Sequence, residues 1–252
     1  MKLIFKSLLE KISRIIYLIY RTIYYFVPIE LRSKLELKLK SKLQSKLQSK
    51  LEDNLVNETL IHFNEYFKKS LLFEDKWKIR EHAIKTSLLN DEKKEYYYLE
   101  FGVFEGTTAN YFSKYLRKLY CFDSFEGLKE DWAGTSDPKN AFNLNKKVPK
   151  LNSNIEPTVG WVEDTLEDFL KKHNPKINFV HLDMDTYNPT LFVLKKLKPY
   201  LVKNAVILFD ELYNYSGWKI GEYKALKEIF NEDEFEYKSF NLLGCQSMIK
   251  LK

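Results

Sequence analysis

Two kinds of apolar periodicity divide the 252-residue chain. From residue 96 onward, bulky β-prone runs of strand length alternate with stretches of helical period, the pattern of βαβ units and a parallel sheet. The runs YYYLEFGV, KLYCFDS, PTVGW, INFVHLDMD and NAVILFDEL predict five strands. Between them, TTANYFSKYLRK, EDTLEDFLKKH and NPTLFVLKKLKPYL are each long enough to be a crossover helix. A further helix, GEYKALKEIF, precedes EFEYKSFN and CQSMIKLK, which read as a hairpin joined through Leu242 to Gly244. The predicted fold class is therefore α/β: a Rossmann-like, seven-stranded, mostly parallel sheet with a C-terminal antiparallel hairpin, preceded by a helical N-terminal extension.

The extension has its own pattern. Ile4, Phe5, Leu8, Leu9, Ile12, Ile15, Ile16, Ile19, Ile23 and Phe26 share one face of a helical wheel, with Lys2, Lys6, Lys11, Arg14 and Arg21 on the other. This basic amphipathic helix, ended near Pro28, suits peripheral contact with an anionic membrane through residues 1–27. Packing on its own domain or on a second copy, as a homo-oligomer, suits it equally. Residues 33–52, SKLELKLKSKLQSKLQSKLE, repeat Leu every four positions. That spacing drifts about 40° per step around a helix, so no fixed seam forms and a solvated helical spacer is expected. NLVNETLIHFNEYFKKSLL and DKWKIREHAIKTSLL then predict two more helices. The expected organisation is residues 1–52 as amphipathic helix and spacer, 53–94 as a helical lead-in, and 95–252 as the α/β domain.

Charge sharpens this division. Residues 1–52 hold twelve Lys or Arg against four Glu, so the net +6 of the whole chain leaves −2 for residues 53–252. The globular part thus shows no phosphate-tracking basic face, and nucleic acid is not an expected partner. Cys121 and Cys245 fall in predicted strands near opposite ends of the domain, which suits buried thiols in a reducing, cytoplasmic setting better than a disulfide. Attachment at the inner face of a membrane is the alternative that the amphipathic helix adds. No run reaches the roughly 20 apolar residues of a membrane span, since IIYLIYRTIYYFV is cut by Arg21. No small-residue cleavage site follows it.

Candidate chemistry begins where the first predicted strand ends, at LEFGVFEG. Gly102 and Gly106 allow a tight turn that brings backbone amides close to a ligand, and Thr107 opens the next helix. The spacing is Glu-x-Gly-x-x-x-Gly rather than Gly-x-Gly-x-x-Gly. A carboxylate at Glu100 repels a pyrophosphate and favours an ammonium or a sulfonium. About 20 residues on, Asp123, followed by Ser124, ends the second strand, where an acid can accept both hydroxyls of a ribose. Adenosine with a cationic amino-acid tail is S-adenosylmethionine.

The segments LEFGVFEGTTAN, CFDSFEGLKEDW, VGWVEDTLEDF, HLDMDTYNPT and VILFDELYNYSGW, in that order, resemble the class I S-adenosylmethionine-dependent methyltransferases. Within them the chain is similar to the macrocin O-methyltransferase-like group, which modifies sugars. The resemblance runs from about residue 95 to the C-terminus. It implies that Glu100, Gly102 and Gly106 line the methionine end of the cofactor, that Asp123 holds the ribose and that Glu163 and Asp164 lie beside the adenine. Thr107, Ser124 and Asp183 are the further cofactor-binding residues expected.

Methyl transfer to a hydroxyl is one in-line displacement, so the protein must deal with a proton rather than supply a nucleophile. A divalent cation and a nearby base accomplish this. HLDMDTYNPT and FDEL place Asp183, Asp185, Asp210 and Glu211 at the ends of two strands, and all-oxygen ligation suits Mg2+. Strand alternation puts His181, Asp183 and Asp185 on one side if the strand persists that far. The resemblance implies metal ligation by Asp183, Asp210 and Glu211 and offers Asp185 as the base, with Asp183 as the second catalytic residue. The order Asp-Glu at 210 and 211 departs from the Asp-Asp pair of some relatives. Acids at strand ends also cap helices or accept loop amides without any ligand. His181, alone within a strand, reads as a packed core residue. Trp132, Tyr187, Tyr213, Tyr215 and Trp218 fall after strands, where exposed rings would stack on sugar faces. The polar stretch EGLKEDWAGTSDPKNAFNLNKKVPKLN suits a lid or an acceptor-binding loop.

The expected activity is O-methylation of a sugar or glycan-like small molecule, S-adenosylmethionine-dependent and Mg2+-assisted. A nucleotide-sugar oxidoreductase or epimerase on the same sheet is disfavoured by the glycine spacing and by the lack of a suitably placed Tyr-x-x-x-Lys pair. A non-catalytic, membrane-associated scaffold is the third reading.

Overall fold

The computed structural model describes residues 29–252; the expected amphipathic helix at residues 1–27 lies outside them. By contacts, the chain divides at Asn54 and Leu55. In the first unit the described residues belong to a helix, α1 (Ile29–Phe67), so the spacer and the following segment form one continuous element instead of two. Among the described residues, no helix is long and apolar enough to cross a membrane.

The second unit is ordered by strand alternation. In β6 (Leu201–Phe209), Ala205, Ile207 and Phe209 enter one apolar cluster while Val206 and Leu208 enter the other. β2 (Tyr97–Phe101), β3 (Leu119–Asp123), β4 (Ile155–Val159) and β5 (Ile177–Leu182) lie parallel with β6. Both faces of such a sheet must be covered. α4 (Val162–His173), α5 (Tyr187–Leu197) and α6 (Glu222–Ile229) contribute Phe169, Val193 and Leu226 to the first cluster. α2 (Lys76–Leu88) and α3 (Thr107–Ser113) contribute Ile79 and Phe112 to the second.

The strand order is β1-β7-β8-β6-β5-β2-β3-β4, with β7 (Phe235–Asn241) and β8 (Ser247–Leu251) forming the antiparallel hairpin. The mostly parallel Rossmann-like sheet is as the sequence implies, with one correction: among the described residues it has eight strands. Leu71–Phe73, read as the end of a helix, form β1, pairing in parallel with Ser239–Asn241 on β7. A three-residue strand is too short for its period to show, and tertiary pairing decides its conformation. Cys245 is a second correction, since it lies in the turn before β8; both cysteines are free thiols.

The order reverses between β2 and β5. From β2 the chain moves outward to β3 and β4, then returns to build β5 and β6 on the other side. Ligands of open α/β sheets bind beyond the carboxyl ends of the strands at such a reversal.

Candidate active site

A cavity of about 360 Å³ opens there, with Gly102, Asp123, Asp183 and Glu211 in its wall. Its geometry starts from Gly102, whose φ of +84° is open to glycine and strained for other residues. A Cβ at this position would lie 1.7 Å from the Asp183 carbonyl oxygen. Glycine thus lets the ends of β2 and β5 touch, and the Asp183 N–H donates to Phe101 O at 2.8 Å.

Asp123 organises the turn. Its Oδ2 accepts from the N–H groups of Val103 at 2.7 Å and Phe104 at 2.9 Å, and its Oδ1 from Phe125 N–H at 2.7 Å. An ionised carboxylate has about four acceptor positions, so capacity remains for a ligand hydroxyl. Ser124 also lines the cavity, and its Oγ accepts from Glu126 N–H at 3.0 Å. Thr107 and Glu163 are in the wall as well. Glu163 pairs with Lys129 at 2.7 Å, and the ammonium of Lys129 stands 4.5 Å from the Trp161 ring centroid.

Glu100, Gly106, Asp164 and Asp210 are not in the wall. Alternation explains Glu100. Leu99 and Phe101 occupy the first cluster, so Glu100 faces the other side of the sheet, fully buried, level with Cys121 on β3 and His181 on β5. Its Oε1 accepts from His181 Nδ1 at 3.0 Å, and its Oε2 from the Cys121 thiol at 3.6 Å. Gly106 opens α3 at φ +77°, with Leu151 of the long loop packed where a Cβ would be. Asp164 is exposed in the first turn of α4, where a negative charge favours the helix dipole.

Asp210 is tied down completely. Its Oδ1 takes Arg80 Nη2 at 2.5 Å and His181 Nε2 at 3.3 Å, and its Oδ2 takes Gln246 Nε2 at 3.0 Å. Burial pushes the His181 pKa down, but hydrogen bonds to Asp210 and Glu100 outweigh it and raise the pKa to about 10. Both ring nitrogens of this imidazolium donate, which leaves no lone pair for a metal or for base catalysis. Burial likewise pushes Asp210 up, but the His181 hydrogen bond and the Arg80 charge hold it well below the usual carboxylate range.

The acids that face the cavity are unlike these. Ligand atoms of Asp183, Asp185 and Glu211 lie within 4.8 Å of one another. Burial, then the charge of Asp210, raises Asp183 to about 7. Burial, then Asp183, pushes Asp185 well above its ordinary value, and burial, then Asp210, does the same to Glu211. Asp185 turns at φ +64°, because the strand ends at Leu182 and the expected alternation through 185 stops there. Glu211 Oε2 is buried without a hydrogen-bond partner. Three clustered carboxyls and one orphaned oxygen suit a hard divalent cation. The grouping differs from the expected Asp183, Asp210 and Glu211: Asp185 stands in for Asp210, whose oxygens are already engaged.

Among the aromatic residues, Trp132 lines the cavity, and its ring centroid is 5.8 Å from that of Tyr215. Tyr213 and Trp218 are core residues, each 5.4 Å from Phe63 of α1, so they are not exposed platforms. Tyr187 begins α5 and donates to Glu228 at 2.7 Å. The long connection supplies Leu128, Trp132 and Phe142 to the wall. Arg80, Gln246 and Glu222 escaped the sequence reading, since none stands in a strand-end motif. Glu222 is fully buried on α6, and its Oε2 accepts the Glu211 N–H at 3.0 Å.

Comparison with known proteins places this geometry. The calicheamicin methyltransferase CalS11 aligns with a TM-score of 0.57 at 18% identity, covering 82% of this chain and 92% of that one. An apo structure of CalS11, described as TDP-rhamnose 3'-O-methyltransferase, aligns at 0.51 and 18% identity over 82% and 94%. The O-methyltransferase NovP aligns at 0.53 and 16% identity over 69% and 78%. At these identities the likeness is one of fold. No curated protein matches the chain in sequence. Residues 99–212 match the family model described as a methyltransferase domain, a segment that runs from β2 to the cavity acid Glu211 and its neighbour. That segment, a little under half of the chain, thus carries the pattern of a methyltransferase domain.

Proposed function

We propose that the enzyme moves a methyl group from S-adenosylmethionine to a hydroxyl of a sugar or glycan-like small molecule, as a member of the macrocin O-methyltransferase-like group. The observation that carries this reading is the unpaired acid cluster beside a glycine turn at the sheet's reversal, a place for a ligand with positive charge. Asp123 has acceptor capacity left for the ribose, and Glu163, Trp161 and Lys129 form the wall for the adenine. CalS11 is described as acting on a TDP-linked rhamnose and NovP as an O-methyltransferase, which supports a sugar hydroxyl as acceptor.

The reaction is a single displacement. The acceptor oxygen forms its bond to the methyl carbon as the carbon–sulfur bond breaks, and sulfur leaves with the electron pair as a neutral thioether. The hydroxyl proton passes to a carboxylate. Asp183, with a pKa of about 7, is substantially ionised at neutral pH and is matched to that task, with Asp185 beside it. Asp183, Asp185 and Glu211 would hold Mg2+, which polarises an alcohol oxygen when bound.

Calorimetric titration with S-adenosylmethionine and with NAD tests the donor. Binding of the first alone supports the reading, whereas NAD binding favours an oxidoreductase. A methyl-acceptor screen with nucleotide-linked sugars then tests the acceptor, and transfer to none of them while another hydroxyl compound reacts would displace the sugar assignment.

A further inference from the structure

Arg80 stands on α2, before the matched methyltransferase segment. It is nonetheless buried against Asp210, and its guanidinium carbon lies 4.9 Å from the Trp77 ring centroid, which fixes its approach. Through Asp210 it joins a row of alternating charge: Glu100, His181, Asp210, Arg80. Among the described residues, no ion pair engages Asp183, Asp185 or Glu211 on the cavity side.

We propose that Arg80 is a positioning residue for the site: by holding Asp210 out of the cavity, it limits the acids that meet a bound methyl donor to Asp183, Asp185 and Glu211. Asp210 directly precedes Glu211, so its carboxylate, left with only His181 and Gln246, would weigh on the site as a fourth negative group at the same strand end. A buried charge stripped of its partner acts over several ångströms in a low-dielectric site. Arginine suits the role because it stays charged throughout the physiological range and its fork of donors fixes direction as well as charge.

The inference rests on the donor proposed above, and its test separates the two. Affinities for S-adenosylmethionine, a sulfonium, and S-adenosylhomocysteine, a neutral thioether, are measured by calorimetry on the full chain. Wild type, Arg80→Met, Asp210→Asn and the double variant are compared. Loss of packing weakens both compounds alike and leaves their ratio fixed, whereas a change of charge at the site moves the ratio. Arg80→Met should shift it toward the sulfonium by about fivefold or more. Asp210→Asn, which leaves Arg80 unpaired, should shift it the other way, and the double variant should restore it to within about twofold. Ratios unchanged in Arg80→Met overturn the inference alone. Failure of the wild type to bind either compound overturns the donor assignment and the inference together. If Arg80→Met does not fold, Asp210→Asn decides: a ratio that stays put or moves toward the sulfonium refutes the clamp.

Discussion

Two groups of acids sit toward the carboxyl end of one sheet, and they do opposite things. Glu100 and Asp210 are matched one for one with His181 and Arg80, so their burial is compensated. Asp183, Asp185 and Glu211 face the cavity with no ion pair among the described residues, and their ionisation is resisted. Both groups mix aspartate and glutamate, and Asp210 and Glu211 follow the same strand as direct neighbours. Pairing separates structural acids from those free to meet a ligand, and pairing depends on which face of the sheet each side chain takes.

The contrast can be broken from either side. Asp183→Asn removes a cavity acid and a proton acceptor. Turnover should fall at least about 10²-fold, with S-adenosylmethionine affinity held within a few-fold. Stopped-flow transfer assays and calorimetry check both halves, and collapse of donor binding would mean that Asp183 serves the donor instead. Gly102→Ala places a methyl group against the Asp183 carbonyl. It should cost more than about 3 kcal/mol by combining strain at positive φ with a backbone clash. Denaturant titration measures this, and a loss below about 1 kcal/mol would show that the strand ends separate freely.

The paired group predicts a pH effect. The folded-state pKa of His181 lies above its ordinary value, so its stabilising contribution is complete below about 6.5 and disappears as pH rises through about 10. Ionisation of Asp183 acts in the same direction, but around pH 7. Buried thiols and the raised carboxyls Asp185 and Glu211 also contribute between pH 8 and 10.5, so the imidazole is read over that interval from the difference between wild type and a variant that lacks it. Wild-type Tm should fall across it and His181→Gln should be flatter; parallel curves would make the imidazole neutral in the fold. The smallest change is Glu163→Gln, which breaks a half-exposed pair with Lys129. Its effect on stability should stay below about 1 kcal/mol, with donor affinity weakened only a few-fold, as binding and melting curves can verify.

Most of the sheet was legible because buried strands announce themselves by apolar runs of the right length. Strand candidates such as INFVHLDMD and NAVILFDEL overlap β5 and β6, although both continue past the true ends at Leu182 and Phe209. β1 was hidden because three residues carry no period. Asp123 and Gly102 were legible as a pair, one closing a strand and the other turning after one. The orientation of Glu100 was implicit in the alternation Leu99, Glu100, Phe101, had the burial of its neighbours been weighed above the glycine motif. Arg80 was illegible: 130 residues separate it from Asp210, and nothing in KWKIREHAIKTSL marks one basic residue as buried. Tyr213 and Trp218 joined the core through Phe63, a contact that only the folded chain creates.

The short strand Leu71–Phe73 covers one margin of the hairpin at Ser239–Asn241. A shortened chain beginning at residue 95 would leave that margin bare, a template for pairing with another molecule. Recombination that exchanges this catalytic unit among relatives must therefore carry the seam from residue 71 with it, or produce a protein that associates before it can work.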